Sequence, residues 1–303
     1  MRLLVDCGNT RLKWMLVRGQ NRIEDSLAWE DFLPQELAED WQQAASDLGA
    51  AQDHPRGGLC SVAPAPAAAK AWSALEAFCA SAGVYRLTPR GRFRLQRDGL
   101  AVELRNPYHQ PETLGSDRWA AAIGLLAELF RLGELGQPAG PQTAPGTALQ
   151  GLLGRDRLEL GLVSVGTATV MDRLRCQRGP RGWDCELQPG AILPGLRVSA
   201  QALATAAPAL RTGLLLALDR PSLLSGPAST EQALARGLAA AQIGPLLWTD
   251  REQPLDAVWV HGGDADWWQS ALRDSPWRQE CPVLHSPLIF QGLWAAMWSE
   301  CAQ

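Results

Sequence analysis

A chain of 303 residues with 28 Lys and Arg against 32 Asp and Glu carries a formal charge of −4, which removes the simple electrostatic case for nucleic acid or an anionic membrane surface as partner. With 46% hydrophobic and 20% charged residues it is longer than a single core usually supports, so two domains are the default. Seven cysteines (Cys7, Cys60, Cys79, Cys176, Cys185, Cys281 and Cys301) without a C-x-x-C pair argue against a disulfide framework or a zinc site, and for reduced thiols in a cytoplasmic protein.

At the N-terminus Asp6 follows only three apolar residues, too few for a signal-peptide core, so no export is expected. Arg2 to Val17 reads as a β-hairpin: the strand Leu3-Leu4-Val5, the turn Asp6-Cys7-Gly8-Asn9-Thr10, and a returning strand with Leu12, Trp14 and Leu16 in alternation. Helical spacing follows over Pro34–Leu48 and Ala67–Ala82, with a short strand at Leu59-Cys60-Ser61-Val62 between them. Pro111–Leu132 reads as a loop followed by a helix with Trp119, Ile123, Leu126 and Phe130 on its apolar face. Residues 133–154 are rich in Gly and Pro and are expected to form a surface loop.

The grammar of the first hairpin returns at Leu160–Leu174, around the tip Ser164-Val165-Gly166-Thr167-Ala168-Thr169. Superposing Gly8 on Gly166 gives an offset of 158 residues and aligns Asp6 with Ser164, so the chain reads as a duplicated domain. Helices near Arg197–Ala204 and Ser229–Gln242, a strand at Ala257-Val258-Trp259-Val260 and a helix near Phe290–Cys301 complete an α/β chain. The apolar stretch Pro282–Trp298 is too short and too interrupted to span a membrane, and reads as a strand followed by a helix.

A turn of the form Asp-x-Gly-Asn-Thr gathers backbone N–H groups and small polar side chains at one point, with a glycine that lets a phosphate approach closely. Asp6 at the strand end can hold Mg²⁺, and Lys13, one of only two lysines, can place a charge on a transferring phosphoryl group. One such turn is an ordinary hairpin; two at duplicated positions suit a nucleotide held in an interdomain cleft. H-E-x-x-H, G-x-S-x-G and Walker motifs are absent from the sequence, so zinc hydrolysis, a serine nucleophile and P-loop chemistry lack support.

Six segments in order resemble the type III pantothenate kinases: Asp6 to Lys13; Asn106-Pro107-Tyr108 with Gly115-Ser116-Asp117-Arg118; Gly166-Thr167-Ala168-Thr169 with Asp172; Ile192-Leu193-Pro194-Gly195; Ser229-Thr230-Glu231-Gln232; and Gly262-Gly263-Asp264-Ala265. The resemblance implies two duplicated actin-like (ribonuclease H-like) α/β domains, residues 1–115 and 116–303, with the terminal helix packing back on the first. It implies phosphorylation of pantothenate by ATP with Mg²⁺, the opening step of coenzyme A synthesis. Asp6, Cys7, Gly8, Asn9, Thr10, Arg11, Leu12, Lys13 and Thr167 would contact ATP, with Asp6 also the metal ligand. Asp117 would be the general base, and Tyr108, Gly115, Ser116, Asp117, Arg118 and Thr205 would line the pantothenate site, Thr205 from a homodimer partner. Asp117 also stands where a helix cap would, and both roles are compatible.

One departure concerns the monovalent cation, K⁺ or NH₄⁺, that such enzymes hold with an Asp at the second hairpin. Here Ser164 occupies that position and leaves the cation site open to question. It is also the feature that favours the alternative, a non-catalytic accessory or regulatory member that binds nucleotide or pantothenate. A sugar or acyl-acid kinase of the same fold group is a further alternative, against which the Asn-Pro-Tyr and Gly-Ser-Asp-Arg segments weigh.

Overall fold

A computed structural model describes residues 1–50, 53–79, 83–97, 99–130, 151–210, 218, 226–273, 275, 277 and 281–301. The expected surface loop falls mostly outside the described residues; of it, only residues 151–154 are described, and 151–153 are helical. Two compact units form, one of Met1–Thr143, Gly179–Asp184 and Pro287–Gln303, the other of Ala144–Arg178 and Cys185–Ser286.

In the first unit the expected hairpin is present as β1 (Arg2–Cys7) and β2 (Arg11–Arg18), antiparallel, with Asp6 directly opposite Lys13. A third antiparallel strand, β3 (Asn21–Ala28), was not anticipated. After helix α1 (Pro34–Asp47), β4 (Arg56–Ser61) lies parallel to β1; after α2 (Ala65–Cys79), β5 (Val84–Arg86) lies parallel to β4. The sheet order is β3-β2-β1-β4-β5. Strand alternation divides the side chains between two faces. Leu3, Val5, Cys7, Leu12, Trp14, Leu16 and Leu59 pack on α1 and α2 through Leu37, Trp41, Ala71 and Leu75. Leu4, Asp6, Lys13 and Cys60 occupy the opposite face by the same alternation. An unanticipated hairpin of β6 (Arg92–Arg97) and β7 (Leu100–Arg105) follows, buried through Phe93, Leu95, Val102 and Leu104. Helix α3 (Ser116–Leu129) is apolar on every side and buried accordingly, rather than along one face.

The second unit repeats the plan. Strands β8 (Arg157–Val165), β9 (Ala168–Gly179) and β10 (Gly182–Pro194) form the meander, and Ile192 to Pro194 are the end of β10. Helices α4 (Leu196–Ala206) and α5 (Thr230–Glu252) follow, the latter running ten residues past the expected end in spite of Pro245 within it. Ser229 caps α5 by accepting from the Gln232 N–H at 3.2 Å, while Gln232 Oε1 accepts from the Ala228 N–H at 2.8 Å. Then β11 (Ala257–Gly262) lies parallel to β8, followed by the unanticipated helix α6 (Ala265–Arg273) and by β12 (Val283–His285), parallel to β11. The order β10-β9-β8-β11-β12 matches β3-β2-β1-β4-β5 strand for strand, so the fold is a duplicated actin-like α/β fold.

The last helix, α7 (Leu288–Cys301), belongs to the first unit, where it covers the Leu4 face of the sheet and packs along α3. α3, placed by sequence at the head of a second domain, thus groups with the first. The α3–α7 crossing is backbone against backbone. A Cβ on Gly292 would stand 1.8 Å from the Ala120 carbonyl oxygen, and one on Gly124 2.0 Å from that of Leu288. None of the described helices is long and apolar enough to cross a membrane.

Candidate active site

The first hairpin turns sharply, the Gly8 N–H donating to the Arg11 carbonyl at 3.0 Å. Trp29 supports the tip by donating from Nε1 to the Gly8 carbonyl at 2.8 Å. Asn9, Thr10 and Arg11 are exposed at the tip, and the Arg11 guanidinium binds the Ser26 carbonyl and hydroxyl, each at 3.0 Å. Cys7 and Leu12 point into the core, so any contact of theirs with a nucleotide runs through the backbone. Burial pushes the Cys7 thiol up to about 12, which keeps it a protonated core residue.

Asp6 is buried, and burial pushes its carboxyl up to about 6; Lys13 opposes the rise, Asp117 adds to it, and a hydrogen bond from Cys60 opposes it. The Cys60 thiol, buried on the neighbouring strand, donates to Asp6 Oδ1 at 3.4 Å. Sequence alone did not point to Cys60, because only the β1–β4 register places it opposite Asp6.

Asp117 lies in the first turn of α3, two residues past the N-cap Gly115, and its Oδ1 accepts from the Arg118 N–H at 2.8 Å. The carboxylate therefore faces the positive end of the helix without being its cap. A Cβ on Gly115 would stand 2.5 Å from this oxygen, so a glycine here leaves the carboxylate room. Arg118 is buried and donates to the Tyr108 hydroxyl at 3.1 Å, with its guanidinium carbon 6.0 Å from the Tyr108 ring centre. Asn106 shapes the loop beneath: its Oδ1 accepts from the Tyr108 N–H at 3.1 Å and its Nδ2 donates to the Pro111 carbonyl at 3.0 Å. The structure thus brings Asp6 and Lys13 together with Asp117 on one side, and Tyr108 together with Arg118 on the other, all within the first unit. The Ser116 hydroxyl is held by the backbone of Ser61.

In the second unit the hairpin tip is closed by a 3.1 Å bond from the Gly166 N–H to the Ala168 carbonyl, and Thr167 is exposed upon it. Gly195 donates its N–H to the Thr167 carbonyl at 2.9 Å, and its Cα passes so near that a Cβ would stand 1.9 Å from the Gly166 oxygen. Gln242, missed from sequence, ties the hairpin to the β10 end: its Oε1 accepts from the Thr169 hydroxyl at 2.5 Å, and its Nε2 donates to the Pro194 carbonyl at 2.9 Å. Ser164 Oγ lies 2.5 Å from His261 Nε2, its partner in the β8–β11 register. Gly262, next to that histidine, has φ +113° and a Cα against the Val165 carbonyl, a position closed to any side chain. Thr205 is exposed on α4 and donates within its own helix to the Gln201 carbonyl at 2.8 Å.

The donor set suits a divalent cation held largely by water and phosphate. Asp117 sits close enough to Asp6 to disfavour its charge, and among the described residues no cluster of three or more His, Cys, Asp or Glu could hold a metal on its own.

Among curated proteins, a type III pantothenate kinase from Azoarcus sp. (strain BH72) is 29% identical over 81% of this chain and 72% of its own length. One from Burkholderia cenocepacia (strain HI2424) is 29% identical over 96% of this chain and 93% of its own length. A solved glucokinase from Balamuthia mandrillaris, 9% identical, covers 98% of this chain and 93% of its own with a TM-score of 0.47, too low to add to the strand order above. The family model described as type III pantothenate kinase matches residues 2–134 and 154–246, a span that takes in both hairpin tips, the Tyr108–Arg118 pair, Asp117 and the Ser229 cap. With most of the chain matched, the chain belongs to the type III pantothenate kinase family.

Proposed function

We propose that this protein transfers the γ-phosphoryl group of ATP to the primary hydroxyl of pantothenate, giving 4′-phosphopantothenate at the first step of coenzyme A synthesis. Membership of the family makes it a kinase. The observation that carries the assignment to this site is the placement of Asp117 at the start of α3, next to the buried Arg118 with its Tyr108 partner and within electrostatic reach of Asp6. In this reading Asp117 accepts the proton of the attacking hydroxyl, and Arg118 holds the pantothenate carboxylate with Tyr108 beside it. The backbone N–H groups of Asn9 and Thr10 and the side chain of Lys13 bind ATP phosphates, and Thr167 is a further ATP contact. Asp6 would hold Mg²⁺, which when bound supplies positive charge to offset that of the phosphates. The protein is read as a cytoplasmic homodimer in which Thr205 approaches the substrate of the other subunit, where its hydroxyl acts as an acceptor because its proton is engaged by Gln201. The non-catalytic alternative finds no observation in its favour beyond Ser164.

An ATP-consumption assay with pantothenate beside a panel of sugars and acids tests the reading: turnover with pantothenate alone is expected, and turnover with a sugar in its place overturns it. Asp117→Asn keeps the shape and the acceptor of the Arg118 N–H but removes the base. Turnover is expected to fall by about 10²-fold or more with little change in melting temperature; full activity in this variant removes Asp117 from catalysis.

The second hairpin carries a separate expectation. Ser164 supplies no formal charge and its neighbour His261 is an imidazole, a poor ligand for alkali cations, which favour charged oxygen. Rates in K⁺, NH₄⁺ and Na⁺ salts at fixed ionic strength are therefore expected to agree within about twofold. A steep K⁺ requirement would show that other oxygens build the cation site.

A further inference from the structure

We infer that the Cys60–Ser61 step at the end of β4 is a positioning device that holds Asp6 and Asp117 in one frame. The inference rests on the kinase reading for its consequence and on geometry alone for its existence. β4 runs parallel to β1 with Cys60 opposite Asp6 and Ser61 opposite Cys7. From the first of these positions the buried Cys60 thiol donates to Asp6 Oδ1 at 3.4 Å. From the next, the Ser61 N–H donates to Ser116 Oγ at 2.9 Å, and the Ser116 hydroxyl donates to the Ser61 carbonyl, also at 2.9 Å. One hydroxyl thus closes a two-bond ring with the backbone of a single strand residue and carries the strand's hydrogen bonding onto the first residue of α3. Asp117 is the next residue of that helix. Two consecutive residues of one strand therefore fix both carboxylates, with only one short side chain between strand and carboxylate on either side.

The bonding capacity of the hydroxyl bears on its role. A serine hydroxyl has one proton and two lone pairs; here the proton and one lone pair are engaged by Ser61, and Ser116 is buried. At most one lone pair is left for a substrate, so Ser116 acts through the placement of Asp117. The distance between a general base and a metal-binding carboxylate must be held to a fraction of an ångström for transfer between two bound substrates, and backbone hydrogen bonds hold it better than long side chains. Cys60 and Ser116 are thus positioning residues.

The test combines hydrogen exchange with steady-state kinetics on the full chain. In Ser116→Ala the Ser61 amide is expected to exchange at least about 10-fold faster while the core of β1 stays protected. Turnover should fall about 10-fold with KM for pantothenate within about twofold of the unmodified value. Cys60→Ala should lower turnover in the same pattern, and the variants that keep a donor, Ser116→Thr and Cys60→Ser, should recover most of it. A rise in KM for pantothenate with turnover unchanged in Ser116→Ala would make Ser116 a substrate ligand and overturn the inference. So would an unaltered Ser61 amide, or a Ser116→Thr variant that regains amide protection without regaining turnover. Should the alanine variants fail to fold, the threonine and serine variants decide alone. If the unmodified protein turns over no pantothenate, the functional reading fails, while the exchange measurement still decides whether the link exists.

Discussion

Gly292→Ala is expected to lower the melting temperature by roughly 5 °C and to reduce turnover with it. The added methyl would stand 1.8 Å from the Ala120 carbonyl oxygen and 2.7 Å from its carbon, and both are backbone atoms in the middle of a helix. No rotamer change relieves the clash; α3 and α7 must separate along a crossing where both are buried. Forced overpacking of this kind costs about 3 kcal/mol, against which the better helix propensity of alanine returns about 1 kcal/mol at most. Each kcal/mol corresponds to a few degrees in a chain of this size. Because α3 carries Asp117 in its first turn, a shift of the helix also misplaces the proposed base. Gly237→Ala is the control: nothing lies within 4 Å of a Cβ there, and α5 should be unharmed or slightly stabilised. Equal melting temperatures for Gly292→Ala and the unmodified protein would show that the two helices can part without loss.

Asp6→Asn is expected to make the protein more stable and nearly inactive. Burial raises this carboxyl from 3.8 to about 6, so the folded state binds its proton more tightly than the unfolded chain does. Such a group favours the fold fully below pH 3.8, and that contribution disappears as pH rises through about 6. At pH 8 in EDTA, Asp6 is ionised in a site that disfavours its charge, and the neutral amide should stabilise the fold by roughly 2–3 kcal/mol. Near pH 3.5 the two proteins should melt together. Turnover with MgATP should meanwhile drop by about 10²-fold or more, since an amide is a far poorer Mg²⁺ ligand than a carboxylate. A variant less stable than the unmodified protein at pH 8 would mean that the Lys13 and Cys60 contacts outweigh burial. The site would then be preorganised for structure more than for a cation.

Sequence reading reached the parts of this molecule whose signals are local. The hairpin of β1 and β2, its repeat 158 residues later and the helix beginning at Ser116 each announce themselves within about a dozen residues, through alternation, turn glycines and helical spacing. The hairpin of β6 and β7 also had such a signal, in Phe93 and Leu95 against Val102 and Leu104 about a turn whose Gly99 adopts φ +82°. Helix α5 was underestimated because Pro245 ordinarily stops a helix, whereas here the chain continues with Leu246 and Asp250 buried. The contacts that complete the site were illegible for a different reason. Cys60 meets Asp6 across 54 residues, and Gln242 meets Thr169 across 73, through strand register and helix packing that no short window of sequence encodes. Ser164 was visible as a departure, but its histidine neighbour depends on the β8–β11 register.

The place of α7 bears on how the chain acquires its fold during synthesis. The Arg2 guanidinium stacks over the Trp294 ring at 4.2 Å, and Met297 fills the space above Gly58. Strand β1 is therefore covered by a helix made some 285 residues later. At ribosomal rates that interval is about 15 to 60 s, during which Leu4, Met15 and Val17 lack the cover they have in the finished protein. The second unit, encoded within the first, is free to fold in that time. A nascent chain arrested before Leu288 should therefore show a protease-resistant second unit beside a sensitive first one, and should lean on chaperones until α7 leaves the ribosome.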